Sequence, residues 1–106
     1  MQHLSPELRS FITSLPSVPF VEALLLLHGA PDQIWTAEAV ARQLYLQSVT
    51  QAEQIVGQLV ARGFCVSTPD GQLAYSPADA ALHEAVGQLA TIYRQQLIEI
   101  TQLVHG

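Results

Sequence analysis

From Phe20 to Leu27 every residue except Glu22 is apolar. Ser17 is placed to cap a helix over this stretch, about Pro19 to His28, and Gly29 followed by Pro31 closes it. A helix with so little polar face cannot rest on a surface. It must be central, with other elements covering it on nearly all sides. In a chain of 106 residues that requirement governs the whole fold.

The flanking segments read as those covers. Ser5 caps a short first helix, Pro6 suits its first position and Glu7 its first turn. Leu8, Phe11, Ile12 and Leu15 recur at helical spacing, and Pro16 and Pro19 stop it. After a short extended piece at Ile34–Trp35, Thr36 caps a third helix, about Ala37 to Tyr45, with Val40, Ala41 and Leu44 inward. Leu46 and Gln47 form a tight turn. Ser48-Val49-Thr50-Gln51 matches the capping-box pattern and opens a fourth helix, with Ala52, Ile55, Val56, Leu59 and Val60 on one face. Gly63 stands where a left-handed helix end belongs.

Beyond Gly63 the period changes from helical to alternating. Phe64–Ser67 and Gln72–Tyr75 read as strands, joined by Thr68-Pro69-Asp70-Gly71, where Gly71 tolerates the positive φ of a tight hairpin. Ser76-Pro77-Ala78-Asp79 then opens a last helix that nothing breaks before Gly106. At 1.5 Å per residue it would span roughly 40 Å, longer than a small core needs. Its stripe is Leu82, Val86, Leu89 and Tyr93, continued by Leu97, Ile100 and Val104 and widened by Ile92, Ile98 and Leu103. Hydrophobic residues make up 49% of the chain and charged residues 12%, against roughly 25% charged in ordinary soluble domains. The excess apolar surface implies a partner chain. The expected arrangement is a homodimer, with residues 77–105, helped by 5–15, packing on their symmetry mates.

The order helix, short strand, helix, tight turn, helix, hairpin resembles the winged helix-turn-helix of small bacterial transcriptional regulators, the MarR and TrmB groups. The resemblance rests on Ile34 to Leu44 and Ser48 to Phe64 and covers about residues 20–76. It implies a mainly α (α+β) fold with a two-stranded β-wing and long flanking helices. Residues 1–16 would be a helical arm, 17–76 the winged domain and 77–106 the dimerisation helix. It implies DNA binding with residues 49–62 as the recognition helix. Thr50, Gln51, Gln54 and Gln58 would face bases, and Arg42 and Arg62 would face phosphates. Glutamine can pair bidentately with adenine and threonine can meet a thymine methyl.

Charge points the other way. The chain has four arginines, no lysine and nine acidic residues, for a net charge of −5. The wing holds Asp70 and no basic residue. A surface of that sign repels phosphate backbones, so the second function expected of this fold is an acidic protein–protein interaction module.

Other chemistry is thin. The histidines at 3, 28, 83 and 105 lack metal-ligand spacing, and no metal or other cofactor is expected. The acids are single, no phosphate loop occurs and the serines mostly fall at caps, so no catalytic residues are assigned and an enzyme is not expected. Cys65 reads as a buried, inert thiol in a reducing compartment. Trp35 and Tyr75 read as packing residues, and His28 as the end of a helix. No basic leader or membrane-length apolar run is visible, so a cytoplasmic location away from membranes is expected.

Overall fold

The structure, a computed structural model, describes residues 5–93 and residue 104. It is mainly helical, with a small antiparallel sheet. The elements are α1 (Pro6–Thr13), α2 (Val18–His28), β1 (Ile34–Trp35), α3 (Ala37–Gln43), α4 (Val49–Ala61), β2 (Cys65–Ser67), β3 (Leu73–Tyr75) and α5 (Ala80–Tyr93).

Side-chain caps set most helix starts. Ser5 Oγ accepts from the Leu8 amide at 3.1 Å, Ser17 Oγ from Phe20 at 3.2 Å, Thr36 Oγ1 from Ala39 at 3.1 Å and Ser48 Oγ from Gln51 at 3.2 Å. At Ser48 the returning bond of a capping box is not made among the described residues. The last helix departs from expectation. Its cap is Asp79, whose Oδ1 accepts from Leu82 N at 2.8 Å, not Ser76. The reason is a competing use of the backbone. The amides of Ser76 and Ala78 donate to the carbonyls of Phe64 and Gly63 at 3.0 and 2.8 Å. They prolong the hairpin's root and cannot begin a helix.

Helix ends also differ in detail. Gly63 is left-handed, φ +84°, and lets Phe64 N reach back to Leu59 O at 3.0 Å. The third helix was expected to run to Tyr45, but α3 ends at Gln43. There Tyr45 takes the left-handed position itself, φ 55°, and Leu46 N bonds Ala41 O at 2.9 Å. Gly29, by contrast, caps α2 in right-handed geometry, φ −72°.

Ile34–Trp35 is more than a linker. It pairs with β3, so the expected two-stranded wing belongs to a three-stranded sheet of order β1-β3-β2. The register puts Ile34, Ala74 and Val66 in one row and Trp35 and Leu73 in the next. The first row faces outward, with Ile34 and Val66 exposed; in the second Trp35 and Leu73 are buried in the core, while Ser67, paired with Leu73 at the hairpin side, is exposed.

The core forms around α2 as its apolarity demands. Phe20, Val21, Ala23, Leu24 and Leu27 are buried, each large side chain contributing about 1.5–3 kcal/mol on burial. Leu8, Ile12 and Leu15 of the N-terminal segment, Val40 of α3, Ile55 and Leu59 of α4, Trp35 and Leu73 of the sheet and Val86, Leu89 and Ile92 of α5 join the same cluster. Phe64 meets Phe20 and Phe11 edge-on at 5.8 and 6.1 Å.

This cluster corrects part of the expected dimer surface. Val86 and Leu89 are fully buried against the chain's own core, because α5 folds back over α1 and α2 and spends its stripe there. They are not available to a second copy. Leu82, Tyr93 and Val104 are half-buried against that core. Leu97 and Ile100 lie outside the described residues. Among those described, no single helix is long and apolar enough to cross a membrane.

Candidate nucleic-acid interface

The amphipathic pattern of α4 fixes which residues can meet a partner. Ala52, Ile55 and Leu59 are buried and anchor it to the core. On the opposite side Thr50, Glu53, Gln54, Gly57 and Gln58 are exposed, while Gln51 is half-buried. Thr50, Gln54 and Gln58 recur every fourth residue, so they form one row along the helix. Among the described residues their side chains make no intramolecular hydrogen bond, which leaves their donors and acceptors to solvent or to a bound molecule. The structure therefore brings three of the four expected base-reading residues onto one open row.

Two features of this surface were not read from the sequence. Gly57 stands mid-helix, where glycine costs about 0.5–1 kcal/mol relative to alanine, yet a β-carbon there would meet nothing within 4 Å. No internal packing requires it. Its effect is to lower the helix surface between Gln54 and Gln58. Tyr45 and Val49, in the turn before α4 and at its first position, are exposed, Tyr45 to 92%. The conspicuous clue was a mid-helix glycine, and for Tyr45 there was none beyond its place next to a turn.

Arg62 is not where the phosphate reading needs it. Its Nη1 donates to the carbonyl of Ser14 at 3.0 Å, and its guanidinium stands 5.9 Å from the centre of the Phe20 ring. Ser14 follows the last residue of α1, so the arginine satisfies a free carbonyl at that helix end and ties α4 to α1. Arg42 is different. It is exposed in the last turn of α3 and makes no hydrogen bond among the described residues. Between residues 30 and 75 the acidic residues Asp32, Glu38, Glu53 and Asp70 are all exposed.

The hairpin is held by its own backbone. Thr68 N donates to Gln72 O at 2.8 Å, Gly71 N to Thr68 O at 2.9 Å, and Thr68 Oγ1 accepts from Gln72 N at 3.0 Å. Gly71 adopts φ +79°. Asp70 is exposed beside it, so the tip carries negative charge toward any phosphate.

The remaining chemistry is mostly internal. Trp35 and Tyr75 are buried, as packing residues should be, although Trp35 Nε1 has no hydrogen-bond partner among the described residues. Burial pushes the Cys65 thiol up to about 12, against a small opposing pull from its backbone bond to Ser76, and a protonated thiol is a poor nucleophile. An open groove of about 360 Å³ runs between α2 and α5, lined by Leu25, Leu26, His28, Leu44 and Tyr93 with Glu22 at its side. Burial and the Glu22 carboxylate raise the Tyr93 hydroxyl above its ordinary value. No group of three or more His, Cys, Asp or Glu among the described residues is arranged to hold a metal ion. His28 and His83, remote in sequence, do come together with Tyr75.

No known protein family, curated protein or solved structure matches the chain.

Proposed function

We propose that this chain is a winged-helix regulator of transcription that reads DNA through α4. The support is the order of elements from α2 to β3, the sheet order β1-β3-β2 and the short turn joining α3 to α4. The observation that carries the reading is the row of Thr50, Gln54 and Gln58, exposed and without internal partners on a helix whose other face is buried. With Gly57 between them, the groups that distinguish adenine and thymine stand on the most approachable side of the helix. The reading assigns no catalysis and no cofactor.

Arg42 then contacts phosphate, and backbone amides at the capped starts of α3 and α4 contribute without formal charge. Affinity comes from few cations, so it is modest and depends weakly on salt. The regulator acts as a homodimer, a reading that rests on the low charge content and on the half-buried Leu82 and Tyr93. The test is selection of preferred sequences from a random duplex pool, followed by Gln54→Ala and Gln58→Ala. Each substitution removes preference at one base position at a cost of about 1–3 kcal/mol. Variants that select the same sequences equally well refute the assignment.

A second reading is favoured by a specific observation. Arg62 is engaged with Ser14, while Asp32, Glu38, Glu53 and Asp70 remain exposed. With exposed Ile34, Val66, Tyr45 and Val49, that charge pattern suits a protein partner that presents basic and apolar residues. Failure to bind any duplex at low salt selects this reading.

A further inference from the structure

Three rings from separate elements meet beside α5. His28 is the last residue of α2, Tyr75 the last of β3, and His83 lies near the start of α5. The His28 ring stands edge-on to Tyr75 at 5.7 Å and 88°, and 5.9 Å from the His83 ring. The Tyr75 hydroxyl is 3.0 Å from His83 Nδ1. A neutral phenol can donate to a neutral imidazole there, with the His83 proton on Nε2. When His83 takes a second proton, Nδ1–H becomes the donor and the hydroxyl turns to accept.

Protonating His28 as well sets two cations about 6 Å apart, His28 half-buried against the Tyr75 ring and His83 exposed, so the second proton is opposed by a repulsion that water screens in part. The end of α2 favours a cation at His28. Burial, and secondarily His83, outweigh that help and hold His28 below the ordinary histidine value of 6.5.

The carboxylates on the surrounding elements, Asp79, Glu84 and Glu22, belong to exposed residues, so water screens their pull on the imidazoles. From β2, the Cys65 thiol stays neutral until strongly alkaline pH. From β3, Tyr75 is likewise raised by burial and by Cys65. On α5, the Asp79 carboxylate is engaged in capping the helix, and Glu84 is exposed. On α2, Glu22 shares the groove with His28 and acts on Tyr93.

We propose that this His–Tyr–His cluster is a proton-operated latch, which holds α5 to α2 and the hairpin when its imidazoles are neutral and loosens them when both are charged. It goes beyond the DNA-reading proposal and does not depend on it. The unfolded chain binds the His28 proton more readily than the folded one, so stability is full above about 6.5 and is lost as pH falls below it. Because Tyr75 ends the strand that leads out of the wing, loosening transmits from α5 to the hairpin.

The test compares thermal midpoints of the intact chain and of His28→Gln between pH 8 and pH 5. The midpoint of the unchanged chain falls as pH drops through the histidine range, and the variant's falls less. Parallel profiles overturn the latch. If His28→Gln does not fold, histidine proton resonances followed by NMR in the unchanged chain and in His83→Gln decide the matter. The His28 midpoint lies below 6.5 and rises when His83 is replaced. A His28 midpoint indifferent to His83 overturns the proposal.

Discussion

Replacing Arg62 separates a structural arginine from a DNA-binding one. Arg62→Ala removes a charged hydrogen bond to Ser14 O at 3.0 Å and a cation stacked 5.9 Å from the Phe20 ring. The bond alone is worth about 0.5–1.5 kcal/mol net, and an exposed cation–π contact about 0.5–1 kcal/mol. Arg62 is solvent-exposed, so screening keeps the sum near the lower end, roughly 1–2 kcal/mol. For a domain of this size each kcal/mol moves the midpoint by about 4–8 °C. Arg62→Met, which keeps the apolar stem, recovers part of the loss, and Arg62→Lys recovers the charge without the flat stacking surface. Thermal unfolding by circular dichroism reads the stability. Duplex binding at several salt concentrations reads the interface. The structural role predicts a lower midpoint with an unchanged salt slope. A phosphate role predicts the reverse, an unchanged midpoint with a slope shallower by about 0.9. The second pattern would refute the assignment of Arg62 to the α1–α4 junction.

Two further outcomes follow from particular atoms. Asp79→Ala removes the cap on Leu82 N and costs about 1 kcal/mol, whereas Ser76→Ala, whose amide rather than side chain is bonded, changes the urea midpoint little; equal losses would return the helix start to Ser76. The Cys65 thiol is raised by burial from 9.0 to about 12 in the folded chain. The folded form therefore keeps a proton that the unfolded form releases, so stability is full below about 9 and declines as pH rises toward 12. Cys65→Ala flattens that decline, and an unchanged alkaline profile in the variant would contradict it.

Local chemistry made most of the helices legible. The all-apolar Phe20–Leu27 stretch required a central helix, and Ser5, Ser17, Thr36 and Ser48 marked starts that the hydrogen bonds reproduce. What escaped was set by distant partners. Ser76 and Asp79 both carry good capping groups; hairpin bonding to Gly63 and Phe64 decided between them. Tyr45 carries no sign of a left-handed residue, and the close succession of α3 and α4 imposes it. An amphipathic stripe such as Val86 and Leu89 looks the same whether its own core or a second copy covers it, and here it is its own core. The partner of Arg62 is Ser14, and His28 meets His83; neither pair has any pattern in the linear sequence. The open row on α4 was legible because it depends on helical periodicity alone.

A DNA-reading α4 surface must engage the duplex with few cations. The decisive measurement is the salt dependence of equilibrium binding to duplex DNA. Arg42 is the arginine near α4 without an internal partner among the described residues, so the predicted log–log slope is about −0.9 per bound chain, abolished by Arg42→Ala. A slope several times steeper, or no binding at all in low salt, would contradict it.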